Sequence, residues 1–128
     1  MRKVNKIIRS IEWKRSMDLA ISMHQLTRTM QRKQNVHNGL IERLIQSVFR
    51  IELRISESNT SWVFSRSELL RMALFHLSET EFYLECAHQF KYIECSDYDR
   101  LLSDISHVRL LIAARIDSIK QTRSVLTN

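Results

Sequence analysis

The stretch NGLIERLIQSVFRIELRISE, residues 38 to 57, decides how the chain is read. Leu40, Ile41, Leu44, Val48, Ile51 and Ile55 recur at the i, i+3/i+4, i+7 spacing that places them on one face of an α-helix. A helix with one apolar stripe must bury it against other helices or a sheet. The composition selects helices: the 128 residues contain no proline and a single glycine, Gly39, so the residues that punctuate turns and strand ends are almost missing.

Working outward, apolar spacing predicts helices near 8 to 30, 38 to 57, 66 to 91 and 97 to 124. Between them, Ser58-Asn59-Thr60-Ser61 reads as a polar loop, and Ser65 three residues before Glu68 has capping-box spacing for the start of the third helix. Ser96, ahead of Asp97 and Asp99, has the same character for the fourth. Short connections make successive helices antiparallel neighbours. The fold class expected is all-α, an antiparallel up-down-up-down four-helix bundle forming one domain over 1 to 128.

Two helices are apolar on more than one side. In the first, Leu19, Met23, Leu26 and Met30 form a core stripe, while Trp13, Met17, Ala20, Ile21 and His24 form a second stripe further round. In the third, Leu69, Ala73, Leu77, Leu84 and Ala87 face one way, and Met72, Phe75, Phe82 and Tyr83 spread over the other sides. A chain of this size has little left to cover such surfaces, so contacts between subunits are expected.

Charge is distributed unevenly. The net charge is +6. Residues 1 to 33 hold nine Lys/Arg against two acids, whereas 34 to 128 hold eleven against twelve. The basic excess therefore lies on the N-terminal segment and first helix, as expected for a surface that meets phosphate. On the second helix Arg43, Arg50 and Arg54 fall within a sector of about 40°, beside Ser47 and with no acid in the same sector. Such a ridge suits bidentate contacts to a phosphate backbone. It equally suits a solvated face, or a seam between subunits paired with acids such as Glu79, Glu81 and Glu85 of the third helix.

Other chemistry is poorly represented. Glu85 with His88, and Asp104 with His107, repeat the carboxylate-x-x-His spacing of di-metal sites in bundles, but helical rotation turns His107 away from the core stripe of Leu101, Ile105, Val108 and Ile112. Arg71 and His76 have the R-x4-H spacing of HEPN ribonucleases. Five residues of helix, however, set the two side chains about 140° apart. No glycine-rich phosphate loop or nucleophile elbow occurs, so no catalytic residue, metal or cofactor is expected. Cys86 and Cys95 lack metal-ligand spacing and read as reduced thiols. The segment Met1 to Lys6 is basic, but Arg9, Glu12, Lys14 and Arg15 follow it in place of an apolar signal core. A cytoplasmic location, with no membrane span, is expected.

Several stretches together resemble a known family. Glu12-Trp13-Lys14-Arg15-Ser16-Met17-Asp18-Leu19-Ala20 with Gln25-Leu26-Thr27, GLIERLIQS from Gly39, ISES from Ile55, and ALFHLSETEFYLECAHQFKYI from Ala73 are similar, in order over about 11 to 119, to the 23S ribosomal RNA intervening-sequence proteins. The resemblance implies a left-handed antiparallel bundle, assembly into a ring of five, and suspected nucleic-acid binding. Accessory proteins of diversity-generating retroelements are similar more distantly, and imply basic pentamers that bind nucleic acid and a reverse transcriptase. The chain departs from the family where arginines give way to Leu44 to Val48, and where small residues give way to Phe75, His76 and Ser58. Glu57 carries over as a matched polar position with a structural role, paired to a basic residue.

The function expected is a non-catalytic, basic, oligomeric bundle that binds nucleic acid, RNA rather than DNA, through Lys14, Arg28, Arg32, Lys33, Arg43, Arg50 and Arg54. The competing reading is an interaction scaffold or accessory subunit, for example of a reverse transcriptase, with nucleic acid secondary.

Overall fold

A computed structural model describes residues 10 to 33 and 35 to 127. It contains four helices: α1 (Ile11–Gln31), α2 (Asn38–Thr60), α3 (Val63–Gln89) and α4 (Cys95–Thr127). α1 packs on α2 and α4, and α3 packs on α2 and α4, while the backbones of diagonal helices stay apart. The cross-helix pairs Trp13–Ser56 and Ser16–Glu52 advance in opposite directions along α1 and α2, as antiparallel neighbours require. The protein is an all-α four-helix bundle. No helix among the described residues is long and apolar enough to cross a membrane.

The core is built from the stripes the periodicity marks. Leu19, Met23, Leu26 and Met30 of α1 meet Leu44, Val48, Ile51 and Ile55 of α2, and all are buried. α4 supplies Leu101, Ile105, Val108 and Ile112 and extends the stripe through Ile116 and Ile119. On α3 the buried set is Leu70, Ala73, Leu77, Leu84 and Ala87. Leu70 therefore takes the core position expected of Leu69, which is only half-buried.

Helix ends depart from the sequence expectation. The first helix starts at Ile11, where Ser10 caps it by accepting from the Trp13 N–H at 3.3 Å. The expected start at residue 8 lies outside the described residues. The expected loop Ser58 to Ser61 is helical through Thr60. Its hydroxyls turn back onto the helix: Ser58 donates to the Ile55 carbonyl at 2.7 Å, and Ser61 to that of Glu57 at 2.6 Å. Only Ser61 and Trp62 then separate α2 from α3. Ser65 does not cap α3, because its hydroxyl donates to the Trp62 carbonyl from inside the first turn. Ser96 likewise lies within α4, which begins at Cys95.

α3 ends in a Schellman motif without glycine. The Tyr92 N–H bonds the Ala87 carbonyl at 2.9 Å and the Lys91 N–H that of His88 at 3.0 Å. Lys91 adopts φ 62° to make this turn, and Asn35 adopts φ 66° between α1 and α2. Asparagine tolerates the left-handed region; a lysine there carries strain.

Candidate nucleic-acid interface

One end of the α1 seams is unusually polar inside. Glu12, in the first turn of α1, is 1% exposed and receives Arg115 of α4 through Nε at 2.6 Å and Nη2 at 3.3 Å. Ser10 donates to the same carboxylate at 2.6 Å. Burial by itself raises the Glu12 pKa, but the Arg115 hydrogen bond, with Ser10 and a backbone N–H, holds it below the ordinary value. One turn on, Ser16 donates to Glu52 of α2, whose second oxygen is buried without a partner. Burial pushes the Glu52 carboxyl up to about 7, and nearby Asp18 adds to the rise. The Trp13 indole N–H donates to Ser56 at 3.0 Å beside them. These contacts fix α1 against α2 and α4, and so set where the cations of α1 stand.

The seven predicted cations separate into two groups. Lys14, Arg28 and Arg32 of the α1 region and Arg43 and Arg50 of α2 are exposed. None of these five has an ion-pair partner among the described residues. Lys33 is tethered, its ammonium donating to the Tyr92 carbonyl at 2.9 Å, which ties the end of α1 to the α3–α4 connection. Arg54 does not fit the expectation of an unpaired ridge. It meets Glu57 one turn away at 2.9 Å, with its side chain 26% exposed and its Nε buried without a partner. This pair gives Glu57 the structural role that the resemblance implied. Ser47 is not beside an open ridge either, since it is buried and accepts from Thr80 of α3 at 2.8 Å. Arg43 and Arg50 accordingly flank the α2–α3 seam, while Lys14, Arg28 and Arg32 lie on the outer side of α1.

Many of the acids are spent in pairs. Asp18 meets Arg15 at 3.8 Å, Glu68 meets Arg71 at 3.5 Å, Glu79 meets His76 at 2.6 Å, Glu81 meets Arg109 at 3.4 Å and Asp97 meets Arg100 at 3.3 Å. Glu85 accepts from the Tyr98 hydroxyl, which lowers the carboxyl pKa and pushes the phenol up to about 12. None of the Glu79, Glu81 and Glu85 carboxylates is taken by the α2 arginines.

Among the described residues, the R-x4-H and carboxylate-x-x-His spacings set their side chains in separate surroundings. Arg71 points to Glu68 at the surface while His76 is buried against Glu79. Glu85 and His88 lie against Tyr98, the His88 ring stacked on it at 4.0 Å. Asp104 and His107 instead line a groove with Arg15 and Asp18, on the α1 side of α4. The two carboxylate-x-x-His pairs thus stand on opposite flanks of α4.

The second apolar faces are partly absorbed within the bundle. On α1, Ala20 is buried and Trp13 and Met17 are half-buried toward α2, leaving Ile21 52% exposed and His24 exposed. Met17, Ala20, Ile21 and His24, with Phe49 of α2, line a groove of about 390 Å³. On α3, Phe75 and Phe82 remain 63% and 62% exposed and Met72 40%. Tyr83 packs against the core.

No family model matches the chain, and no curated protein matches it. Among solved structures it is similar to a protein of unknown function from the S23 ribosomal protein family of Bacteroides thetaiotaomicron, with a TM-score of 0.77 and 20% identity. The likeness covers 83% of this chain and 98% of that one. At this level of identity the two proteins share a fold, the four-helix bundle described above.

Proposed function

We propose that this bundle is a non-catalytic nucleic-acid-binding protein, related to the 23S ribosomal RNA intervening-sequence proteins, that holds structured RNA through phosphate. The observation that carries the reading is the contrast in pairing. Lys14, Arg28, Arg32, Arg43 and Arg50 stand exposed without ion-pair partners, while most acids of α3 are engaged locally. A surface of that kind attracts a polyanion without reading its sequence. Lys33 and Arg54 contribute less, because each already has a partner. The fold shared with an S23-family protein supports the family relation. The exposed stripe of Met72, Phe75 and Phe82 supports self-association, five copies being the number that the family resemblance implies.

The test is an RNA titration of the wild type and of Arg43→Glu/Arg50→Glu. Lower affinity with an unchanged assembly state fits the reading. Loss of the assembly with the same change places the ridge in a subunit seam. Unaltered RNA affinity removes the ridge from the binding surface. The scaffold reading draws on the same apolar stripe, and would show as capture of a reverse transcriptase that persists when RNA is digested.

A further inference from the structure

The groove between α1 and α2 is apolar along its walls and basic at its edge. Met17, Ile21 and Phe49 form the apolar part, His24 and Gln25 the polar part, and Arg28 is the one charged residue among the described residues that line it. Phe49 is 51% exposed, and no ring among the described residues stacks on it. Arg32 follows Arg28 one turn on and is exposed as well. The acid on the same side of α2, Glu42, is two turns from Phe49.

We propose that this groove takes an unpaired base from a loop or bulge of the RNA, stacked on Phe49, with Arg28 and Arg32 on the flanking phosphates. The inference rests on the nucleic-acid reading above and narrows its substrate class from RNA in general to RNA with a single-stranded element. An exposed aromatic ring beside unpaired guanidinium groups is the combination that single-stranded segments use, since every base has a π-face and every linkage a charge. The bases of a continuous duplex are already stacked and cannot enter. The net positive rim complements a polyanion better than it does a second copy of this basic chain.

The experiment compares two labelled RNAs, a hairpin with an unpaired loop and a fully paired duplex of the same length, on wild type, Phe49→Leu and Phe49→Tyr. Removing the ring while keeping an apolar side chain should weaken the hairpin about fivefold or more, the lower end of what stacking on one base supplies. Duplex affinity and the salt dependence of both should stay unchanged, and Phe49→Tyr should bind the hairpin as wild type does. Equal effects on both RNAs, or no effect on either, overturn the proposal while leaving phosphate binding intact. Dissociation of a wild-type assembly by Phe49→Leu, seen in sedimentation, overturns it too and assigns the groove to a second copy. Failure of the wild type to bind either RNA defeats the broader reading along with this one.

Discussion

Arg115 grips the Glu12 carboxylate with two nitrogens, Nε to Oε2 at 2.6 Å and Nη2 to Oε1 at 3.3 Å, joining residues 103 positions apart in the chain. The pair closes α4 onto the first turn of α1, with the Glu12 side chain 2% and the Arg115 side chain 40% exposed. Arg115→Met leaves a buried carboxylate without its cation, and should cost about 2 to 4 kcal/mol in urea unfolding. The Glu12 pKa is lowered in the fold, so this stabilisation is present above its unfolded value near 4.5 and is lost as pH falls through the folded value. The variant and wild type should therefore converge in stability toward acid pH. A gap that stays constant would mean that the pair contributes packing and not charge.

Glu52, one turn away from this clamp across Ser16, should respond in the opposite sense. Its folded pKa of about 7 lies above the unfolded value near 4.5, so the fold holds a proton that the unfolded chain has released. Stability contributed by this site is full below pH 4.5 and is lost as pH rises through 7. Glu52→Gln removes the titration and should raise stability by about 1 to 3 kcal/mol at pH 8, with little gain near pH 5. Denaturation across that pH range checks the sign. A gain that is greatest in acid would contradict it.

Lys91 makes a glycine-like turn at the end of α3 with φ 62°. Lys91→Gly should relieve that strain and raise stability by about 0.5 to 1 kcal/mol, visible as a higher melting temperature. An unchanged or lower melting temperature would show that the lysine side chain compensates for its backbone.

Arg54 and Arg50 should separate stability from binding. Arg54→Ala breaks the 2.9 Å pair with Glu57 and should lower stability by about 0.5 to 1 kcal/mol with a minor change in RNA affinity. Arg50→Ala should do the reverse. The two measurements exchanging places would mean that Arg54 leaves Glu57 for phosphate.

The core was readable in advance because a single period of 3.6 residues places Leu44, Val48 and Ile55 on one face whatever they meet. The polar contacts inside the bundle were not. Glu12 looks like any first-turn acid until α4 brings Arg115 to it, and Glu52 looks solvated until α1 covers it. The α2–α3 boundary differs from the expectation because serine and threonine serve loops and helix ends alike, and here Ser58 and Ser61 bond back to the helix. Arg54 is different. Its acid, Glu57, stands three residues on, at the i, i+3 spacing of a helical ion pair, and falls just outside the sector that the three arginines share.

If exposed, unpaired cations hold RNA through its phosphates, as proposed, the wild-type RNA titration repeated at two salt concentrations is the measurement that registers it. Several phosphate contacts should make affinity fall by roughly a hundredfold between about 50 and 200 mM salt. No binding at low salt, or an affinity that does not change with salt, would contradict the account.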